Sequence, residues 1–432
     1  MIVALLFLAF IAMMLVGVPI AAALGLAGAA AIALANGDSQ WFGLLAVPQN
    51  FYAGLGKYPL LAIPMFVLVG SIFDRSGVAL RLVNFAVAIV GRGPGMLPLV
   101  AIAVAMFLGG ISGSGPACAA AVGGVMIAAM NRAGYPAAFS ASVVGAAAAT
   151  DILIPPSVAF IIYSVLVPGA SVPALFAAGM VPGILAGLAL IVPAVWLSRR
   201  HKMGALEASM PRPPFWASFR EAVWGLAAPV LILGGMRAGW FTPTEAAVVA
   251  VFYGLFVGMV IYRTIKVRDL FVILRESGEL SAVILLVVSL AGIFAYSLST
   301  LGVIDPITTA IVNSGLGEYG VLALLILLLV TVGMFLDGVS IFLIFVPLLL
   351  PIVNHYKWDP VWFGVILTLK VALGQFTPPM AVNLMVSCRI AKVPMEATVR
   401  WVGWMLFSMA IVMVLVIAFP ELALWLPRRL GY

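Results

Sequence analysis

The sequence predicts an all-α integral membrane protein. It is built from two related halves of opposite orientation, each with a re-entrant helical hairpin and a helix interrupted at a Pro-Pro pair. Three observations lead there. Of the 432 residues, 65% are hydrophobic and 9% are charged, whereas a soluble globular chain carries about 25% charged residues. Apolar stretches of spanning length, about 20 residues, recur along the chain. Gly- and Pro-rich landmarks repeat at a fixed offset of 223 residues.

The same composition excludes several functions. A surface this poor in charge cannot belong to a soluble enzyme, a nucleic-acid module or a disordered scaffold. The formal net charge is +7, but the basic residues cluster in short connecting loops, as in membrane proteins whose basic loops stay cytoplasmic. Cys118 and Cys388 lie in apolar stretches and make no disulfide framework. His201 and His355 lie far apart, so no zinc cluster is expected. No G-x-x-x-x-G-K-[ST] run is present, so neither ATP hydrolysis nor a tightly bound organic cofactor is expected.

Taken in order, residues 2–35 read as a retained membrane helix, tilted or broken at Pro19. No Lys or Arg precedes Lys57, unlike a secretory signal. Further spans are predicted over 58–75, 136–166, 173–198, 216–237, 244–262, 278–299, 359–392 and 396–425. Residues 95–131 and 317–354 differ. Each holds two shorter apolar stretches around a polar centre, Gly109-Gly-Ile-Ser-Gly-Ser-Gly-Pro116 and Gly333-Met-Phe-Leu-Asp-Gly338. This pattern fits hairpins whose tips stop at mid-membrane, where irregular backbone survives only inside protein or beside a watery cavity. Placing Arg92, Arg132, the run Arg199-Arg-His-Lys202, and Arg263, Lys266 and Arg268 in the cytoplasm makes the first hairpin enter from that side and the second from the other. Arg428 and Arg429 then fall outside, against the rule. Trp41, Trp216, Trp240, Trp358, Trp401 and Trp425 lie near span ends and read as interfacial anchors. Arg81 reads as a lipid-facing snorkeller, and adjacent Asp74 and Arg75 as an interfacial charge pair.

The repeat is specific. Gly110 to Pro155 is 45 residues, and so is Gly333 to Pro378; both prolines begin a Pro-Pro pair. The offset also maps span 58–75 onto 281–298 and span 173–198 onto 396–421. With one extra helix, 216–237, between the copies, the second is upside down relative to the first. Inverted repeats with broken helices are the build of many secondary transporters, and the breaks mark the binding site. Proline removes a backbone donor and blocks the preceding turn. Carbonyls freed there, with Ser, Thr or Asn oxygens, would cage Na⁺. Half-helix N-termini would suit a substrate carboxylate.

Gly110-Ile-Ser-Gly-Ser114, Gly134-Tyr135, Ile154-Pro-Pro-Ser157, Gly333-Met-Phe-Leu-Asp337 and Thr377-Pro-Pro-Met-Ala-Val-Asn383 together resemble the large membrane subunit of tripartite ATP-independent periplasmic (TRAP) transporters. The likeness covers nearly the whole chain. It implies an elevator-type importer of organic acids in the bacterial inner membrane, driven by Na⁺, fed by a periplasmic substrate-binding protein and braced by a small four-helix membrane subunit. Because the chain starts with the large subunit's first helix, that subunit is expected as a separate polypeptide. The resemblance further implies a moving transport domain, 58–198 and 278–425, and a static scaffold formed by 1–57 and the helices within 199–277; 426–432 is a tail.

Ser112, Ser157, Asp337 and Lys370 are the candidate substrate residues. Gly110, Ser114, Pro155, Gly333, Gly338, Gly374, Thr377 and Asn383 are the candidate Na⁺ ligands. For the hydroxyls the bland alternative is a bond back to their own helix; for Asp337 it is a helix cap, set against the usual functional role of intramembrane carboxylates. Asp151 and Lys370 depart from the family, which has a small residue at the first position and commonly an uncharged polar one at the second. Opposite charges at one depth are cheaper paired than alone, so an Asp151–Lys370 pair is expected; otherwise Lys370 faces the cavity and a substrate carboxylate. An ammonium beside a cation site would also repel one Na⁺. The competing readings are a stand-alone anion carrier without a binding protein, an ion channel, which needs rings of polar residues, and an intramembrane enzyme, which needs a catalytic constellation.

Overall fold

The computed structural model describes residues 2–35, 41–91, 93–334 and 336–432. Arg92, read as a cytoplasmic charge, and the side chain of Trp41, read as an anchor, lie outside the described part. Within it the chain is helical and contains no strand. The first half runs α1 (Ile2–Leu15), α2 (Ile20–Ala35), α3 (Trp41–Leu44), α4 (Ala46–Leu55), α5 (Ala62–Ser76), α6 (Val78–Ile89), α7 (Met96–Ser112), α8 (Gly115–Arg132), α9 (Ala137–Ala148), α10 (Val158–Leu166) and α11 (Val172–Arg200). Two linking helices follow, α12 (Phe215–Arg237) and α13 (Pro243–Phe256). The second half runs α14 (Val267–Thr300), α15 (Ile304–Val312), α16 (Gly317–Gly333), α17 (Gly338–His355), α18 (Pro360–Gly374), α19 (Val382–Ala391), α20 (Val399–Ala418) and α21 (Glu421–Leu430). Among the described residues, seven helices are long and apolar enough to cross a membrane.

The breaks fall where backbone chemistry puts them. The first apolar stretch divides at Gly17, with Pro19 just before α2. Both hairpins form, α7 with α8 and α16 with α17. The stretches 136–166 and 359–392 are not continuous; each divides at its Pro-Pro pair, giving α9 and α10, and α18 and α19. The span 396–425 is a correction: α20 stops at Ala418, because Pro420 cannot continue the helix, and α21 turns away as a separate element. The limits of α17 lie 223 residues beyond those of α8, and α18 starts 223 beyond α9. Packing partners are exchanged between the copies: α8 lies on α19 while α17 lies on α10, and α9 lies on α20 while α18 lies on α11.

Between apolar helices in lipid, close approach replaces the hydrophobic effect as the driving force. The contact of α2 with α14 shows this: a Cβ on Gly28 would stand 3.0 Å from the Phe294 Cα, so only glycine lets the two backbones meet.

The one long polar loop, 201–214, docks under the base of the first hairpin. Glu207 accepts from the Leu97 amide (2.8 Å) and the Tyr135 hydroxyl (2.5 Å), and that hydroxyl accepts from the Gly95 amide (2.6 Å). Arg212 donates to the carbonyls of Val90 and Gly91. Burial pushes the Glu207 carboxyl up from its ordinary value. A carboxyl that holds its proton more tightly when folded favours the folded state most below its unfolded pKa, and that contribution fades as pH rises through the raised value. Proteolysis of loop 201–214 should therefore quicken with rising pH, and Glu207→Gln should flatten that dependence. Tyr135→Phe leaves the Gly95 amide and one Glu207 oxygen unpaired. It should destabilise the hairpin base by about 1–3 kcal/mol, read as a lower unfolding temperature.

Two surface expectations change. Trp216, Trp240 and Trp425 are exposed, but Trp358 and Trp401 are buried. Trp358 donates to Glu318 (2.8 Å) and Trp401 packs edge-on against Phe139. Arg81 is not a snorkeller: its guanidinium lies 3.8 Å over the Tyr262 ring and donates to the Gly77 carbonyl, tying α6 to the segment after α13.

Candidate functional site

Both hairpin tips and both helix breaks open onto one cavity of about 530 Å³. The first tip contributes Ser112 through Ala117, and the second contributes Gly333 and Leu336 through Phe342. The breaks add Ile152, Val158, Gly374, Gln375 and Met380 through Val382; α2, α5 and α14 close the other side. This volume falls in the usual range for small-molecule sites.

The first tip is a tight turn. Gly113 has φ +60°, and a Cβ there would stand 2.6 Å from the Pro156 carbonyl oxygen, so tip and break are in backbone contact. Gly110 lies beside the Pro155 carbonyl and Pro229 of α12. The Pro155–Pro156 and Pro378–Pro379 peptides are cis.

The predicted residues separate into three groups. Ser114, Gly333, Gly338 and Gly374 line the cavity, as do Ser112 and Asp337. Ser114 makes no side-chain cap bond at the start of α8, which leaves that hydroxyl open to the cavity. Asp337 realises the capping reading: it accepts from the Val339 and Ser340 amides (3.0 and 3.3 Å) and from the Ser340 hydroxyl. The α17 N-terminus is therefore capped by its own carboxylate, whereas α8 has no side-chain cap and its N-cap amide, that of Ser114, donates to Asp151.

Ser157 and Thr377 bond to nearby backbone instead of lining the cavity. Ser157 donates to the Ile152 carbonyl (2.6 Å), and Thr377 donates to the Leu373 carbonyl (2.6 Å). Asn383 is fully buried, donates to Gln375 Oε1 (3.0 Å) and lies against Gly115 at the first tip; its Oδ1 has no donor.

The expected Asp151–Lys370 pair does not form. Asp151 accepts instead from the Ser112 hydroxyl (3.0 and 3.3 Å), a partner on the hairpin that packs over it. Lys370 is fully buried, does not line the cavity, and its Nζ has no hydrogen-bond partner. It stands behind Gly333, where a Cβ of that residue would project. Removing the Ser112 hydroxyl leaves the buried Asp151 carboxyl with only the Ser114 amide as donor, so Ser112→Ala should cost about 1–3 kcal/mol. The double variant Ser112→Ala with Asp151→Ala should unfold at a higher temperature than additivity gives, because the two groups are coupled.

Two cavity residues with a carboxylate or amide side chain escaped the sequence reading. Asp74 lines the cavity, while Arg75 pairs elsewhere, with Glu276 (2.6 Å), so the Asp74–Arg75 pairing is corrected. Gln375 lines the cavity and holds Asn383 through both its backbone and its side-chain oxygen. The available signal was a polar residue beside Gly374, two positions before Thr377.

Comparison with known proteins follows the same lines. Residues 7–422 match the family model described as the DctM component of the tripartite ATP-independent periplasmic transporter. The chain is 38% identical over 408 residues to the C4-dicarboxylate TRAP transporter large permease protein DctM of Pseudomonas aeruginosa, covering 94% of each. It is 33% identical to the sialic acid TRAP transporter large permease protein SiaM of Vibrio cholerae, covering 98% of each. The crystal structure of the Alcanivorax borkumensis YdaH transporter shares the fold, with a TM-score of 0.56 at 13% identity over 88% of this chain and 90% of that one. The chain therefore belongs to the DctM family of TRAP transporter large permeases, multi-pass inner-membrane transport proteins and not enzymes.

Proposed function

We propose that this chain imports an organic acid across the inner membrane, driven by an inward Na⁺ gradient, with the substrate delivered by a periplasmic binding protein. The observation that carries the reading is the cavity shared by both hairpin tips and both Pro-Pro breaks. Substrate and ions meet there at discontinuous helices, as in other secondary transporters. The Ser114 hydroxyl, which makes no cap bond at the start of α8 and lines the cavity, can donate to a carboxylate. The relatives named for C4-dicarboxylates and sialic acid support a carboxylate substrate. The family's description as tripartite and periplasmic supports two further components, a small four-helix membrane subunit on a separate chain and the binding protein.

Na⁺ is a hard cation and takes oxygen ligands, as other hard cations do. At the first tip the residues fit: the Ser114 hydroxyl and the buried Asn383 Oδ1 both lack donors, and Gly110 adjoins the Pro155 carbonyl. At the second tip Gly333, Gly338, Gly374 and Thr377 are the candidates. Bound Na⁺ would link the site to the gradient, each charge entering being worth about 2.3 kcal/mol per 100 mV. In the proposed cycle 58–198 and 278–425 move as the transport domain, with the two copies inverted, against a scaffold of 1–57 and the helices within 199–277.

The test is uptake of radiolabelled organic acids into proteoliposomes holding the chain and its small subunit. Uptake is expected to require both the binding protein and inward Na⁺. Uptake without the binding protein would replace this reading with a stand-alone carrier; uptake indifferent to Na⁺ would remove the coupling ion.

A further inference from the structure

An open groove of about 720 Å³ lies between α7 and α11, apart from the transport cavity. Met96 and Leu99 of α7 face Ile191, Val192 and Val195 of α11 across it. The two helices meet beside it at Gly95, where a Cβ would stand 3.1 Å from the Val195 Cα. Val192 is 68% exposed, so apolar surface is left for something to cover. The apolar part ends at Trp196, and Arg199 and Arg200 complete the lining. From Ile191 to Arg200 the helix rises about 14 Å, close to the roughly 15 Å of hydrocarbon in one leaflet. The groove is therefore apolar over the depth of an acyl chain and cationic at the depth of a headgroup.

Neither guanidinium has a hydrogen-bond or ion-pair partner among the described residues, whose ion pairs are those of Arg75, Arg275 and Arg428. Arg200 lies 4.9 Å over the Trp196 ring, which in turn packs 5.1 Å from the Trp404 ring of α20. Stacking leaves the N–H fork of Arg200 free, and that fork matches a phosphate. No carboxylate lines the groove to compete for it. Basic pockets between membrane helices on the cytoplasmic side take anionic headgroups, and the end of α11 is the side that the positive-inside rule puts in the cytoplasm. A protein helix laid here would have to bring its own carboxylates to both arginines, whereas every anionic phospholipid carries its phosphate at that depth.

We propose that this groove binds one anionic phospholipid, with its phosphate on Arg199 and Arg200 and an acyl chain along Val192 and Leu99. The bound lipid fastens α7, the first arm of the first hairpin, to α11.

The test uses the detergent-purified chain with its small subunit, titrated with phosphatidylglycerol or with phosphatidylcholine of the same acyl chains. Bound lipid is counted by native mass spectrometry, and the unfolding temperature is followed in parallel. The wild type should retain one phosphatidylglycerol, unfold at a higher temperature with it, and bind phosphatidylcholine at least about tenfold more weakly. Arg199→Gln combined with Arg200→Gln should weaken phosphatidylglycerol binding about thirtyfold, the loss expected of two interfacial cations. Val192→Trp fills the groove and keeps both charges, and it should lose the lipid as well. Full retention in Val192→Trp would reduce the effect to surface charge and overturn the proposal. If the arginine variant fails to fold, the two lipids decide: equal affinity of the wild type for both overturns the assignment. A lipid site present in the chain alone but lost in its complex with the small subunit, or in a dimer of the chain, assigns the groove to that protein and likewise overturns it.

Discussion

Gly113→Ala is expected to cut uptake at least about tenfold while leaving the protein folded. The residue turns α7 into α8 at φ +60°, a conformation that costs a non-glycine residue roughly 1–2 kcal/mol. The added methyl would also lie 2.6 Å from the Pro156 carbonyl oxygen and 3.3 Å from the Ser157 Cα. Neither neighbour is a flexible side-chain end, so the clash is relieved only by moving the hairpin tip off the first Pro-Pro break. That movement separates Ser112 and Ser114 from the backbone they share the cavity with. A loss on the order of 1.4 kcal/mol in site assembly already gives the tenfold effect. The measurement is initial uptake in proteoliposomes, normalised to protein that elutes as a single folded species. Wild-type rates would show that tip and break need not touch during transport.

Phe160→Ala is the second large effect, and it falls on stability. Phe160 is fully buried at the start of α10, and its ring fills the space left by Gly179 on α11. Removing the ring opens a void behind the first helix break that the backbone of α11 cannot collapse to fill. Core Phe→Ala substitutions cost about 3–5 kcal/mol. The low end, about 3 kcal/mol, is expected here, because lipid solvates the apolar ring when the helices separate. The unfolding temperature in nanodiscs should drop accordingly. The companion Gly179→Ala, which places a methyl against the same ring and 2.5 Å from the Leu153 carbonyl oxygen, should destabilise by overpacking. A Phe160→Ala protein as stable as the wild type would mean that the break is held by the tips alone.

These two substitutions probe different levels of what was legible. The repeat could be read because proline and glycine act locally: a Pro-Pro pair interrupts a helix whatever surrounds it, and the matched spacing of 45 residues in each half located both interruptions. The end of α20 at Ala418 was equally local, set by Pro420, but the apolar composition beyond it masked the stop. The polar residues behaved differently. Ser112 and Ser157 look alike in sequence, each a serine beside Gly or Pro in an apolar run. Ser112 reaches Asp151 across 39 residues, whereas Ser157 turns back onto the carbonyl of Ile152 five residues earlier. Spacing carries no information about that choice, because in an unwound segment a one-residue change in dihedral angles reverses the direction of a side chain.

The amino-acid sequence alone determined that the chain lives in lipid, where its helices break, that it consists of two copies of one plan, and which short segments come together. Each follows from composition or from the backbone chemistry of proline and glycine, which needs no neighbours. Only the tertiary structure decided which polar groups see the cavity. Asp74 and Gln375 do, Ser157 and Thr377 do not, and Lys370 stands behind Gly333 without the carboxylate that charge balance would have paired it with. A buried charge takes the partner that packing places within reach, and in this fold the hairpin tip reaches Asp151 first.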